Sequence, residues 1–265
     1  MTAFAFLLTG LALGLSGCRK AIEDYLKYYP TAEYGFCQLR QINIQYPAAA
    51  NAGTLPVSYD TMAFTYNAHG DPVSGIRPVP RTGAPNFFFR YDHLGRLTDA
   101  FGSYGTDPHP TGYCEVWHRY KYDNWGHANF DSMYIFPLVV DDHPTLSEYS
   151  SLNLNAYEYD SKGRISKFTY HTNYFPFVTN FSYDADGNLT GTPHDNEINL
   201  HRTSKVWMFL DRDYSVNNPL TAAYTYNDRG LPISIVAPTG TKMHFSSLDF
   251  DGLEYGEAHV IYSCK

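Results

Sequence analysis

The sequence predicts an all-β chain: one domain of consecutive antiparallel β-hairpins in a twisted, curled sheet, an open half-barrel or shell-like curl. Three observations carry that expectation. A seven-residue pattern (aromatic, polar, Tyr, Asp or Asn, two free positions, Gly) occurs six times between Phe64 and Gly230. Apolar and polar residues alternate with period two from Leu39 onward, and no stretch shows the 3.6-residue period of a long amphipathic helix. Aromatic residues make up 17% of the 265, with 24 Tyr and 17 Phe, against 17% charged residues, which is too apolar and too weakly charged for a disordered chain.

The chain opens on an uncharged apolar run, Ala3 to Leu15. Its length falls short of the about 20 residues that span a bilayer and fits the apolar region of a secretory signal. It ends in Leu15-Ser16-Gly17-Cys18, which resembles the lipobox of bacterial lipoprotein signals. The resemblance implies cleavage before Cys18 and attachment of diacylglycerol to its thiol. Residues 1–17 are therefore expected to be a signal peptide, 18–35 a lipidated tether and 36–265 the β domain. Arg19, not Asp, follows the cysteine. This favours an outer-membrane location, on the periplasmic or the cell-surface face, with the membrane as a partner through the lipid on Cys18.

In each copy of the repeat, two aromatics flank one polar residue, so both share a strand face while the polar residue faces away. Asp or Asn then opens a turn and Gly, three residues later, takes the positive φ that closes it. The pairs are Asn67 and Gly70, Asp92 and Gly95, Asp123 and Gly126, Asp160 and Gly163, Asp184 and Gly187, and Asn227 and Gly230. A degenerate seventh copy is expected at Phe250-Asp251-Gly252. Tyr91-Asp-x-x-Gly-Arg-Leu97 and Tyr159-Asp-x-x-Gly-Arg-Ile165 resemble YD repeats of the rearrangement-hotspot type, and the likeness extends over roughly residues 60–235. It implies successive hairpins in a long curling sheet, and a nearer likeness to small YD-type envelope lipoproteins without an assigned activity. The repeat tyrosines, Tyr66, Tyr91, Tyr122, Tyr159, Tyr183 and Tyr226, are irregularly spaced, and six hairpins are too few for a closed cocoon. The widest gap, between Tyr183 and Tyr226, holds the apolar run Val206 to Leu210, expected as a strand or short helix plugging one end of the sheet.

Cys37, Cys114 and Cys264 remain beyond the lipobox. A Cys37–Cys264 bridge closing the fold and three buried free thiols are equally compatible with the sequence.

No catalytic or phosphate-binding motif is present, so an enzyme is not expected, nor a cofactor or metal. The net charge of −8, from 19 Lys and Arg against 27 Asp and Glu, excludes a nucleic-acid footprint. Asp184-Ala185-Asp186-Gly187-Asn188 has part of a calcium-loop pattern, but the turn already accounts for Asp184 and Gly187. His109, His118, His127 and His143 are close in sequence without metal-ligand spacing. Glu115, Glu148, Glu158 and Asp142 are the acids a glycoside hydrolase would draw on. Trp125, Trp117 and Trp207 are the largest aromatics that could stack on a ligand. The expectation is a non-enzymatic envelope lipoprotein that binds a protein or glycan. The alternatives are a structural or secretion-accessory role and, behind it, a glycoside hydrolase.

Overall fold

The computed structural model describes residues 20–22, 24–45, 59–171, 175–238, 243–245 and 253–265. Residues 1–17, Cys18 and the degenerate copy Phe250-Asp251-Gly252 lie outside the described residues. Among the described residues, no helix is long and apolar enough to cross a membrane.

The chain is all-β. In order come β1 (Cys37–Gln45), β2 (Tyr59–Tyr66), β3 (Pro72–Ile76), β4 (Asn86–Tyr91), β5 (Leu97–Ser103) and β6 (Gly112–Tyr113). They are followed by β7 (Val116–Tyr122), β8 (Ala128–Ile135), β9 (Leu138–Val140), β10 (His143–Thr145), β11 (Ser151–Tyr159), β12 (Ile165–His171) and β13 (Pro176–Asn180). After an insertion containing β14 (His194–Ile198), α1 (Lys205–Asp211) and β15 (Asn217–Pro219) come β16 (Ala223–Tyr226) and β17 (Pro232–Val236). β18 (Met243–Phe245), β19 (Leu253–Tyr255) and β20 (Glu257–Cys264) end the chain. Thirteen strands form one antiparallel sheet in the order β13-β12-β11-β8-β7-β5-β4-β3-β2-β1-β20-β17-β16, not closed into a barrel.

The repeat pattern explains the sheet. Its flanking aromatics, such as Phe64 and Tyr66 or Phe89 and Tyr91, pack into the concave side, and the residues between them, such as Thr65, Lys121 and Glu158, face out. After each YD turn within the sheet the return strand carries one extra residue. Arg90 pairs with Asp99 and Tyr91 with Leu97, and the same slip recurs at Tyr66, Tyr122, Tyr159 and Tyr226. Such a bulge sharpens the local twist and curls the sheet.

A second regularity ties one hairpin to the next. The Tyr91 hydroxyl donates to the Pro72 carbonyl at 2.5 Å, Tyr122 to Leu97 at 2.8 Å and Tyr159 to Ala128 at 2.8 Å. Each accepting carbonyl lies two residues beyond the glycine of the preceding turn. Tyr66 to Leu39 and Tyr262 to Pro232, both 2.7 Å, continue the series through residues that the repeat pattern does not single out. Burial holds the Tyr66, Tyr91, Tyr122 and Tyr159 phenols well above their ordinary pKa, so they remain donors.

Those two bonds reveal a seventh, split hairpin. β20 and β1 pair with Tyr262 opposite Leu39 and Ile261 opposite Gln41, leaving Arg40 as the extra residue. The register is that of the YD hairpins, but the two strands come from opposite ends of the described chain. Where a YD turn would join them stands the Cys37–Cys264 disulfide. Cys114 is free and buried.

The insertion fills the concave side. Ser204 caps α1, accepting from the Val206 N–H at 3.2 Å, and Arg212 ends the helix in the left-handed region at φ 55°. Seven residues are too few to hold a helix in water, so packing fixes it. Trp207 lies edge-on to Phe64 at 5.3 Å and to Phe89 at 5.5 Å, and Phe209 meets Tyr120 and Tyr157. The expected plug is therefore a helix set inside the curl. β14 and β15 pair beside it, and the Tyr226 hydroxyl donates to Asp195.

The segment expected as a tether is instead partly docked. Residues 24–28 are helical, and Leu26 and Tyr34 are buried against Cys37, Ile198 and Leu231. Apolar burial holds 26–34 to the body, helped by Arg202, whose guanidinium donates to the Ala32 carbonyl at 2.9 Å.

Candidate functional site

The fold has two rims with different chemistry. Every YD turn lies at one of them. There the first-position side chain accepts from two backbone N–H groups: Asp92 from Leu94 and Arg96, Asp123 from Trp125 and His127, and Asp160 from Lys162 and Arg164, all at 2.8–2.9 Å. The closing glycines have φ between 72° and 91°. The Arg96 and Arg164 guanidiniums return to Asp92 and Asp160 at 2.7 Å. Desolvation opposes ionisation of Asp92 and Asp160, but these N–H donors outweigh it and hold both carboxyls below the usual range. The His127 N–H does the same for Asp123.

Between this rim and α1 lies a groove of about 350 Å³, lined by Tyr91, Tyr122, Tyr159, His127, Lys205 and Phe209 among others. His127 stacks on Tyr159 at 4.6 Å and Arg96 covers Tyr122 at 4.8 Å. The N-terminal segment lies on the same rim. Lys27 pairs with Asp186 on one turn at 2.8 Å, and Thr31 abuts Gly163 on the next.

The opposite rim carries the long, unequal connections 77–85, 104–115 and 136–150. The β9–β10 hairpin is its most constrained part. Phe136, Asp141 and Asp142 adopt φ of 47°, 50° and 63°, a region L-residues avoid. Asp142 is pinned by Arg90 at 2.7 Å and His109 at 2.9 Å, contacts that keep its carboxyl ionised against desolvation. Arg90 in turn lies over Phe101 and Trp117, at 4.8 and 5.0 Å. Tyr113, Val140, Leu146 and Tyr149 are exposed around this hairpin.

The three tryptophans separate. Trp117 is fully buried, stacked on Phe101 at 4.1 Å with its indole N–H donated to Asp99 at 2.8 Å. Trp207 is 1% exposed inside the plug. Neither presents a face to a ligand, because each fills a core cluster, and the expectation of stacking platforms there is corrected. Trp125 is 87% exposed, at the tip of its YD turn.

The scattered acids and histidines do not converge. Glu115 accepts from the Gly83 N–H and the Tyr104 hydroxyl, Glu158 pairs with Lys167, and His118 pairs with Asp131 in the sheet. Asp184 is used by its own turn and Asp186 by Lys27. Among the described residues, no group of three or more His, Cys, Asp or Glu side chains is placed to hold a metal.

One buried cluster escaped sequence reasoning. His201 Nε2 lies 2.5 Å from Asp211, and its Nδ1 lies 3.5 Å from Asp213. Desolvation would lower the His201 pKa, but the two carboxylates raise it to about 10, while His201 keeps Asp213 well below the ordinary range despite its own burial. The pairs span α1 and its flanks, so the cluster locks the plug. Its spacing carries no motif, and only the fold brings it together.

No family model and no curated protein matches this chain. Among solved structures, it is similar to the Photorhabdus luminescens Tc holotoxin pore at 15% identity and TM-score 0.24, over 75% of this chain and 11% of that one. It is also similar to TcdB2-TccC3 without its hypervariable C-terminal region, at 15% identity and TM-score 0.28, over 75% and 11%. A porin-like protein from Bacteroides uniformis is similar at 13% identity and TM-score 0.28, over 86% of this chain and 98% of that one. The chain thus spans about a tenth of the length of the toxin chains it matches.

Proposed function

We propose that the chain is a non-enzymatic binding module of the bacterial cell envelope, anchored through a lipid on Cys18 at the outer membrane. It would present the rim of long connections to a protein or glycan partner. The observation that supports this reading is the surface around the β9–β10 hairpin: Asp142 is pinned there by Arg90 and His109, and Tyr113, Val140, Leu146 and Tyr149 are exposed around it. A held loop beside an exposed apolar patch is characteristic of recognition sites.

The test is capture of envelope proteins and glycans by the full chain, repeated with Tyr149→Ala and Tyr113→Ala. Specific capture lost in these variants and kept in Trp125→Ala supports the reading. Capture indifferent to both tyrosines refutes the assignment to this rim.

A structural or secretion-accessory role is the second reading, and β13 favours it. All five of its residues are exposed, and it forms one edge of the sheet. An uncovered edge can accept a strand from another chain.

A further inference from the structure

We propose that the YD rim is a membrane-docking surface, seated in the headgroup layer of the bilayer that holds the lipid on Cys18. The proposal rests on the anchor reading above and adds to it an orientation and a set of contacts.

Six large apolar or aromatic side chains are exposed at this end: Tyr25, Tyr28, Tyr29, Phe36, Leu94 and Trp125. Leu94 and Trp125 occupy equivalent tip positions of YD turns that neighbour each other in the sheet. Phe36 shares a cavity with the Asn67–Gly70 turn. Tyr25 stacks on Tyr29 at 4.8 Å, on the helical segment that Lys27 ties to the Asp186 turn. The concave core does not need these residues, which is why they remain in water. Trp and Tyr, with an apolar body and a polar tip, are the side chains that favour a membrane–water interface.

Chain length brings the bilayer to this rim and not to the other. Cys18 precedes Lys27 by nine residues, and most of the intervening segment is helical from Lys20. At 1.5 Å per helical residue and at most 3.6 Å per extended one, the lipidated residue lies within about 20 Å of the rim. The charges fit a zwitterionic surface. Lys20, Lys162, Asp24 and Asp228 are all exposed, and the turn carboxylates of Asp92, Asp123 and Asp160 are directed onto backbone N–H groups. The acyl chains on Cys18 hold the chain at the membrane but leave its orientation free, and interfacial side chains next to the anchor fix which face meets the headgroups.

Trp125 reports on this directly, because Trp117 and Trp207 are buried. The full chain, carrying its native lipid, is reconstituted into vesicles of phosphatidylethanolamine and phosphatidylcholine, with and without brominated acyl chains. Trp125 emission is expected to shift to the blue and to fall severalfold with brominated lipid, relative to a Trp125→Phe background. A tryptophan placed on the opposite rim by Tyr149→Trp, in that background, is expected to remain open to aqueous acrylamide and untouched by bromine. A chain that is lipidated and vesicle-bound but whose Trp125 responds only to acrylamide overturns the docking surface and leaves the anchor standing. A chain that carries no lipid and stays off the vesicles overturns the anchor reading and the docking surface with it.

Discussion

The two rims of the sheet are built from the same strands yet obey different rules. At the YD rim every turn has one length and one hydrogen-bond scheme, every turn within the sheet has one bulge, and the hydroxyls of Tyr66, Tyr91, Tyr122, Tyr159 and Tyr262 tie neighbouring hairpins together. At the opposite rim the connections differ in length and conformation. Uniform turns reflect a single solution to curling a sheet. Unequal loops are free of that duty and can carry recognition. The irregular tyrosine spacing in the sequence arises in the strands, in the connections of the variable rim and in the insertion, while the turns keep their length.

This contrast can be tested in order of expected effect. Trp207→Ala should cost about 3–5 kcal/mol in urea unfolding, because it empties the core that Phe64, Phe89, Tyr91 and Tyr120 share. Equal stability of that variant would mean that the plug is dispensable to the curl. Removing the disulfide with Cys37→Ser and Cys264→Ser should cost about 2–5 kcal/mol, measured by the shift of the urea midpoint at constant slope. An Asp92→Ala substitution leaves two backbone N–H groups without their acceptor and should cost about 1–2 kcal/mol. At the variable rim, Tyr149→Ala should change stability by less than about 0.5 kcal/mol, because the side chain is exposed. If Asp92→Ala were as mild as Tyr149→Ala, the division of labour between the rims would fail.

The pH dependence sharpens the same comparison. His201 is raised to about 10, so its contribution is complete below about pH 6.5 and is lost as pH rises toward 10. Asp213 and the turn carboxylates of Asp92, Asp123 and Asp160 are lowered, so their contribution is complete above about pH 4 and is lost as pH falls below it. Stability should therefore be greatest between about pH 4 and 6.5, as read by thermal unfolding across buffers. His201→Gln should flatten the alkaline side and leave the acid side dominated by the turns.

What the sequence disclosed follows from locality. Five sheet hairpins, and a sixth turn closed on an isolated Tyr183–Leu189 bridge, were legible because each is written in seven consecutive residues whose period and turn chemistry act within the segment. The plug was legible as an apolar run, though not as a helix, because seven residues are assigned by the aromatic walls around them. The split hairpin was not legible. Tyr262 has the right residue type, but its turn is replaced by Cys264 and by Cys37 at the other end of the described chain. Trp117 and Trp207 look like surface platforms when only size is counted, yet stacking on Phe101 and contacts with Phe64 and Phe89 place them inside. The β9–β10 hairpin gave no signal, since the partners that hold Asp142, Arg90 and His109, are remote from it in sequence.

The split hairpin has one more consequence. Between Cys37 and Cys264 the covalent structure is a closed circuit. A protease that cuts any single loop of the variable rim within that circuit opens the backbone without releasing a fragment, because both ends stay joined through the disulfide and through the strands beside it. The exposed loops can thus be nicked while the molecule keeps its shape. The same circuit makes the position of the chain ends arbitrary. Joining residues 264 and 37 through an Asp-x-x-Gly turn and opening the chain in the 136–150 connection would yield a permuted protein with the same sheet.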